Sequence, residues 1–118
     1  MKPNIKNIKG AAQAIRNNPR KAKYEMRDSM GGRCCLCVMM DYAEEQGADV
    51  KQSEDNDLPA REGMEQFYGI KTMNNLTEQN MFDFILQGSP ASHHNDGVDI
   101  REKTHEEIAD MIEKEFIL

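Results

Sequence analysis

The chain has no tryptophan, and tyrosine and phenylalanine together supply only seven rings in 118 residues. A core with so few rings must be filled by aliphatic side chains and nine methionines, which pack adaptably but specify shape less sharply. Stacking surfaces for bases are equally scarce: the basic N-terminal third holds only Tyr24, which ranks nucleic-acid binding last among binding functions. Long hydrophobic runs are missing too. The longest, Cys34 to Met40, has seven residues, far short of a membrane span, and the opening MKPNIKNIKG has no apolar stretch of signal-peptide length. These absences predict a soluble cytoplasmic protein with no membrane partner. Three cysteines cannot all pair, and adjacent Cys34 and Cys35 are poorly placed to bridge each other in a helix, so reduced thiols are expected.

Charge is abundant but unevenly distributed. Residues 1–33 carry nine Lys or Arg against Glu25 and Asp28, a net +7, whereas residues 34–118 sum to −13. Such a chain can meet phosphate with one end and a basic protein surface with the other, or its two parts can neutralise each other within the fold or across a homodimer.

The stretch GGRCCLCVMMDYAEEQG, Gly31 to Gly47, gathers the apolar and polarisable side chains. Cys35, Leu36, Val38, Met39, Tyr42 and Ala43 recur at helical spacing, Asp41, Glu44 and Glu45 fall opposite, and Gly47 supplies a stop. A central helix follows. Around it the spacing predicts an amphipathic helix over 4–17, ended by Asn17-Asn18-Pro19, and a loop or extended arm over 20–30. A solvated acidic loop is expected over 49–57, then a short helix with Pro59 in its first turn, ending at Tyr68-Gly69. A further core helix should begin at a capping box of Asn75 and Glu78 and reach Gln87. Gly88 to Lys103 reads as an exposed loop with a turn at Asn95-Asp96-Gly97, and Thr104 with Glu107 opens a last helix to about Phe116. The apolar end Phe116-Ile117-Leu118 is expected to dock on its own domain. The expected architecture is all-α: one domain, 1–118, of about five short helices around the Cys/Met-rich one, with a basic helix and arm (1–33) and an acidic helical core (34–118).

Chemistry-bearing residues are few. Cys34-x-x-Cys37 with His93-His94 formally matches zinc-ligand spacing, but cysteines in an apolar helix behave as small core residues, and no metal is expected. The His93-His94-Asn95-Asp96 loop holds a base and carboxylates but lacks the strand and helix context of a nuclease, and no nucleophile has a supporting partner, so no catalytic residue and no cofactor are assigned.

Gly32-Arg33-Cys34-Cys35-Leu36-Cys37-Val38, Leu58-Pro59, Tyr68-Gly69, Leu76 through Asn80, His94-Asn95-Asp96 and Glu107 through Ile112 together resemble a family of small phage-encoded proteins. The shared pattern runs Gly-Arg-aromatic, Cys-Cys-Leu-Gly-Val, Leu-Pro, aromatic-Gly, Leu-x-x-x-Asn/Gln, Asn-Asp and Phe-x-x-Ile-Ala-Asp-x-Ile, over roughly residues 12–115. Cys37 replaces the family glycine, no aromatic separates Arg33 from Cys34, His105 stands near the usual Phe, and Gln87 to Lys103 is longer. The family has no established activity, so the resemblance implies a phage origin and a shared fold. Two binding functions then compete. One is a non-enzymatic inhibitor that covers a basic surface of a host protein with Glu44, Glu45, Glu54 and Asp55. The other is sequestration of a nucleotide by Arg33, Gly32, Asn95 and Asp96.

Overall fold

The computed structural model describes residues 2–18, 20–53, 56–73 and 81–118. Among these, five helices and two small antiparallel hairpins share one buried core. Helix α1, Ile5–Arg16, starts where the Asn4 side chain accepts the Asn7 N–H at 3.0 Å, and buries Ile8, Ala11, Ala12 and Ile15. Helix α2, Cys35–Glu45, is central: Cys35, Leu36, Cys37, Val38, Met39, Met40 and Ala43 are all buried, so it is enclosed nearly all round. Gly10 on α1 lets the two helices approach, since a Cβ there would meet the Tyr42 hydroxyl at 1.9 Å.

Helix α3, Arg61–Tyr68, ends at Gly69 in the left-handed region (φ 65°), where the Lys2 carbonyl also leaves no room for a Cβ. Its buried Tyr68 hydroxyl donates to the Met39 carbonyl of α2 at 2.6 Å. Helix α4, Ala91–Asp96, is short, and α5, His105–Phe116, opens with the expected Thr104–Glu107 capping box. The main packing partner of α1 is α5, followed by α2. At the C-terminus Phe116 meets Phe84 edge-on at 5.8 Å and Ile117 packs on the core, while Leu118 is exposed.

The fold is mostly helical, not all-α. Strands β1, Lys51–Ser53, and β2, Asn56–Pro59, pair antiparallel where the sequence suggests a solvated loop, and Pro59 ends a strand instead of opening a helix. Strands β3, Ile85–Leu86, and β4, Ser89–Pro90, form a second hairpin across Gln87 (φ 49°) and Gly88 (φ 84°), a pair of positive φ values that suits a tight hairpin turn. The expected helix from Asn75 to Gln87 is therefore corrected over 81–87, where the chain is extended: the Phe82 N–H donates to the Pro59 carbonyl at 3.1 Å, the Phe84 carbonyl accepts the Ala91 N–H at 2.8 Å, and Ile85–Leu86 pair as a strand. Its capping box, Asn75 and Glu78, lies outside the described residues. The expected loop from Gly88 to Lys103 contains α4, closed by Gly97 at φ 75°.

Candidate functional site

Charge in the structure is sorted. Arg16 on α1 pairs with Asp110 at 2.6 Å and with Glu113 on α5; Lys21 and Lys23 pair with Glu102; Arg27 and Arg33 share Asp41 at 2.7 and 2.5 Å. Five of the nine N-terminal cations are thus engaged by carboxylates of residues 34–118, so much of the sequence's charge asymmetry cancels inside one chain. The Lys21 ammonium, through its hydrogen bond, holds the Glu102 carboxyl down to about 2.

Carboxylates remain exposed at the C-terminal end of α2. Glu44 and Glu45 occupy its last turn, and no basic residue accompanies them there. That placement sets negative charge at the negative end of the helix dipole and costs about 0.3–1 kcal/mol per group. Glu44 faces Lys51 at 3.5 Å and shares a polar cleft of about 310 Å³ with Asp49. Gly63 rests against the Asp49 carbonyl, where a Cβ would be 1.9 Å away, so the start of α3 with exposed Glu62 adjoins this acidic shoulder. Glu54 and Asp55 lie outside the described residues.

Among the described residues, the four assigned to a nucleotide are split between two clefts. Gly32 and Arg33 border one of about 370 Å³ with Arg27 and Asp28, where Asp28 accepts the Gly32 N–H at 2.7 Å and Asp41 engages both guanidiniums. Asn95 and Asp96 border another, about 280 Å³. Asn95 is fully buried, not part of an exposed turn. Its Oδ1 accepts the Cys35 N–H at 3.0 Å, which caps α2, while Nδ2 donates to the Ala22 carbonyl and to Asp96 Oδ1, both at 2.8 Å. Asp96 Oδ1 also accepts the Tyr24 N–H at 2.9 Å. Tyr24 is thereby held at φ 64°, a left-handed conformation that costs an aromatic residue roughly 1–2 kcal/mol.

The cysteines are packed as core. Burial pushes the Cys34 thiol up to about 11 and, with help from Asp41, that of Cys37 up to about 12; burial also raises Cys35 well above its ordinary value. Cys34 contacts the Met26 sulfur at 3.4 Å, and its own sulfur accepts the Cys37 N–H at the start of α2. The histidines are separated by role. His94 Nε2 donates to the Leu86 carbonyl at 2.6 Å and His105 Nδ1 to that of Asn18 at 3.1 Å, both buried contacts that tie loops to helices. Among the described residues no three His, Cys, Asp or Glu side chains are arranged to hold a metal ion.

The 280 Å³ cleft has no local signal in the sequence. Tyr24, Glu25, Met26, Leu58 and Met81 come to it from three separate segments, and no spacing signals their meeting. No protein-family model, curated protein or solved structure matches the chain.

Proposed function

We propose that the chain is a non-enzymatic phage accessory protein that binds a host factor through an acidic surface and inhibits it by occlusion. The observation that carries this reading is the exposed pair Glu44 and Glu45, held at the unfavourable end of α2 with, among the described residues, only a long 3.5 Å contact from Lys51 to Glu44, whereas Asp110, Glu102 and Asp41 are closely paired with cations. Local electrostatics placed against the fold's own stability is commonest where a surface serves a partner. Asp49 and Glu62 extend the surface, and Glu54 and Asp55 follow Ser53 in sequence. A basic face on the partner would be steered to it and covered, with no bond made or broken. The phage origin rests on the sequence resemblance.

Nucleotide sequestration draws less support, because Asn95 is spent on capping α2 and Asp41 already occupies Arg33. Nucleic-acid binding by residues 1–33 loses the five cations paired within the fold.

Quantitative pull-down from host lysate with the wild type and with Glu44→Lys/Glu45→Lys tests the reading. A specific host protein should be retained at low salt, with retention falling roughly tenfold or more in the variant and with rising ionic strength. Equal retention by a variant of unchanged melting temperature would refute the acidic surface.

A further inference from the structure

The cleft beside Tyr24 belongs to neither charged surface described so far. Cys34 and Leu36 place it at the N-terminal end of α2, while Glu44 and Glu45 close the other end, about 16 Å away along an eleven-residue helix. Its volume, about 280 Å³, lies just under the range of drug-sized ligand sites and leaves room for a smaller molecule, and Met26, Leu58 and Met81 give it an apolar lining. The charged groups that line it are both carboxylates, Glu25 and Asp96; no lysine, arginine or histidine among the described residues does so.

Two further features bear on what fits there. The Asp96 carboxylate is fixed in place by its Oδ1, which takes the Tyr24 N–H and the Asn95 amide, so among the described residues Oδ2 is left without a hydrogen bond. Tyr24 keeps 68% of its surface exposed at the rim in a strained backbone conformation. Its ring already attracts an ammonium group: Lys23 Nζ stands 5.4 Å from the centroid, held there by Glu102 at 2.9 Å.

We propose that this cleft binds a small organic cation, an amine with one ammonium group on an aryl or alkyl body. The body fills the Met26, Leu58 and Met81 surface, and the ammonium is met by Glu25 and the free oxygen of Asp96. Phosphate-bearing or carboxylate ligands are turned away by the sign of the same groups. The site is independent of the acidic shoulder, so either can fail without the other.

Titration of the ¹⁵N-labelled full chain with 2-phenylethylamine, and in parallel with 3-phenylpropionate of nearly the same shape, tests the proposal. The amine should move the amide signals of residues 24–26 and 92–96 saturably, and the anion should not. Asp96→Asn keeps the acceptor that holds Tyr24, and Glu25→Gln changes an exposed side chain; together they should weaken amine binding about tenfold or more with the fold retained. No saturable shift in the millimolar range, an equal response to phenylpropionate, or undiminished binding by the double variant would overturn it. Should the variant misfold, the comparison of amine and anion on the wild type decides alone.

Discussion

Replacing Asn95 by alanine deletes three hydrogen bonds at one buried point: the Cys35 N–H at 3.0 Å, the Ala22 carbonyl at 2.8 Å and the Asp96 carboxylate at 2.8 Å. The Asp96 oxygen keeps the Tyr24 N–H, so its loss is small. Cys35 and Ala22 are fully buried, and their backbone groups would be left facing a void the size of a carboxamide. A buried polar group stranded in this way costs about 1–3 kcal/mol, and two of them give roughly 3–5 kcal/mol once partial relaxation is allowed for. For a domain of this length that is a fall of about 12–20 °C in melting temperature. Thermal and urea unfolding followed by circular dichroism would measure it, with an unchanged urea m-value showing that the native and denatured states are otherwise comparable. Asn95→Asp supplies the control: it keeps an acceptor for Cys35 but places a second carboxylate against Asp96 and the Ala22 carbonyl, and should be at least as damaging as alanine. An exposed turn residue, which is how the sequence alone reads Asn95, would tolerate alanine within about 0.5 kcal/mol. A shift of that size would refute the capping role.

Two pH-linked predictions run in opposite directions. Glu102 is held down to about 2 by Lys21 and then Lys23, so it contributes stability above the ordinary glutamate range and loses it as pH falls from about 5 towards 2. Glu102→Gln should cost about 1 kcal/mol at neutral pH, the upper end for a pair this exposed because Lys21 itself is mostly covered, and the gap to wild type should narrow from pH 5 downwards and close only near pH 2 in melting curves. Asp83 is raised by burial, against the bonds that its carboxylate accepts from the Ser92 hydroxyl and the Phe84 and Ser92 N–H groups. A raised carboxyl makes the folded state lose stability as pH climbs through its folded value, so Asp83→Asn, which can keep those partners, should be more stable than wild type at pH 8 and lose that advantage near pH 4; a variant less stable at both would contradict it.

Where apolar periodicity and capping chemistry agree, the sequence reads correctly. Helices α1, α2, α3 and α5 fall within a few residues of expectation because Ile8, Ala12 and Ile15, the Cys/Met run, Met64 with Tyr68-Gly69, and Thr104 with Glu107 each carry a local signal. The misses share a physical cause. Helix α4 turns inward Ala91, His94 and Asn95, at spacings of three and one, so its buried face is largely polar and shows no hydrophobic stripe. Its burial is offset by hydrogen bonds to the Leu86 carbonyl and the Cys35 N–H, partners 8 and 60 positions away in sequence. The run Met81–Leu86 is apolar enough for either period, and only the pairing of Ala60 with Met81 and the Gln87-Gly88 turn make it extended.

The residues assigned to a nucleotide separate for the same physical cause. Arg33, Gly32, Asn95 and Asp96 look alike in sequence as loop residues fit for an anion, but a polar side chain becomes available to a ligand only after the fold's own unpaired groups are met. The free N–H at the start of α2 takes Asn95, the turn at Gly32 takes Asp28, and the guanidinium of Arg33 takes Asp41. Carboxylates are left at both ends of α2: Glu44 and Glu45 at one, Glu25 and the second oxygen of Asp96 at the other. The two ends of α2 thus carry the negative charge that the two proposals rest on, a basic protein face at one end and a small amine at the other, and each can be tested without the other.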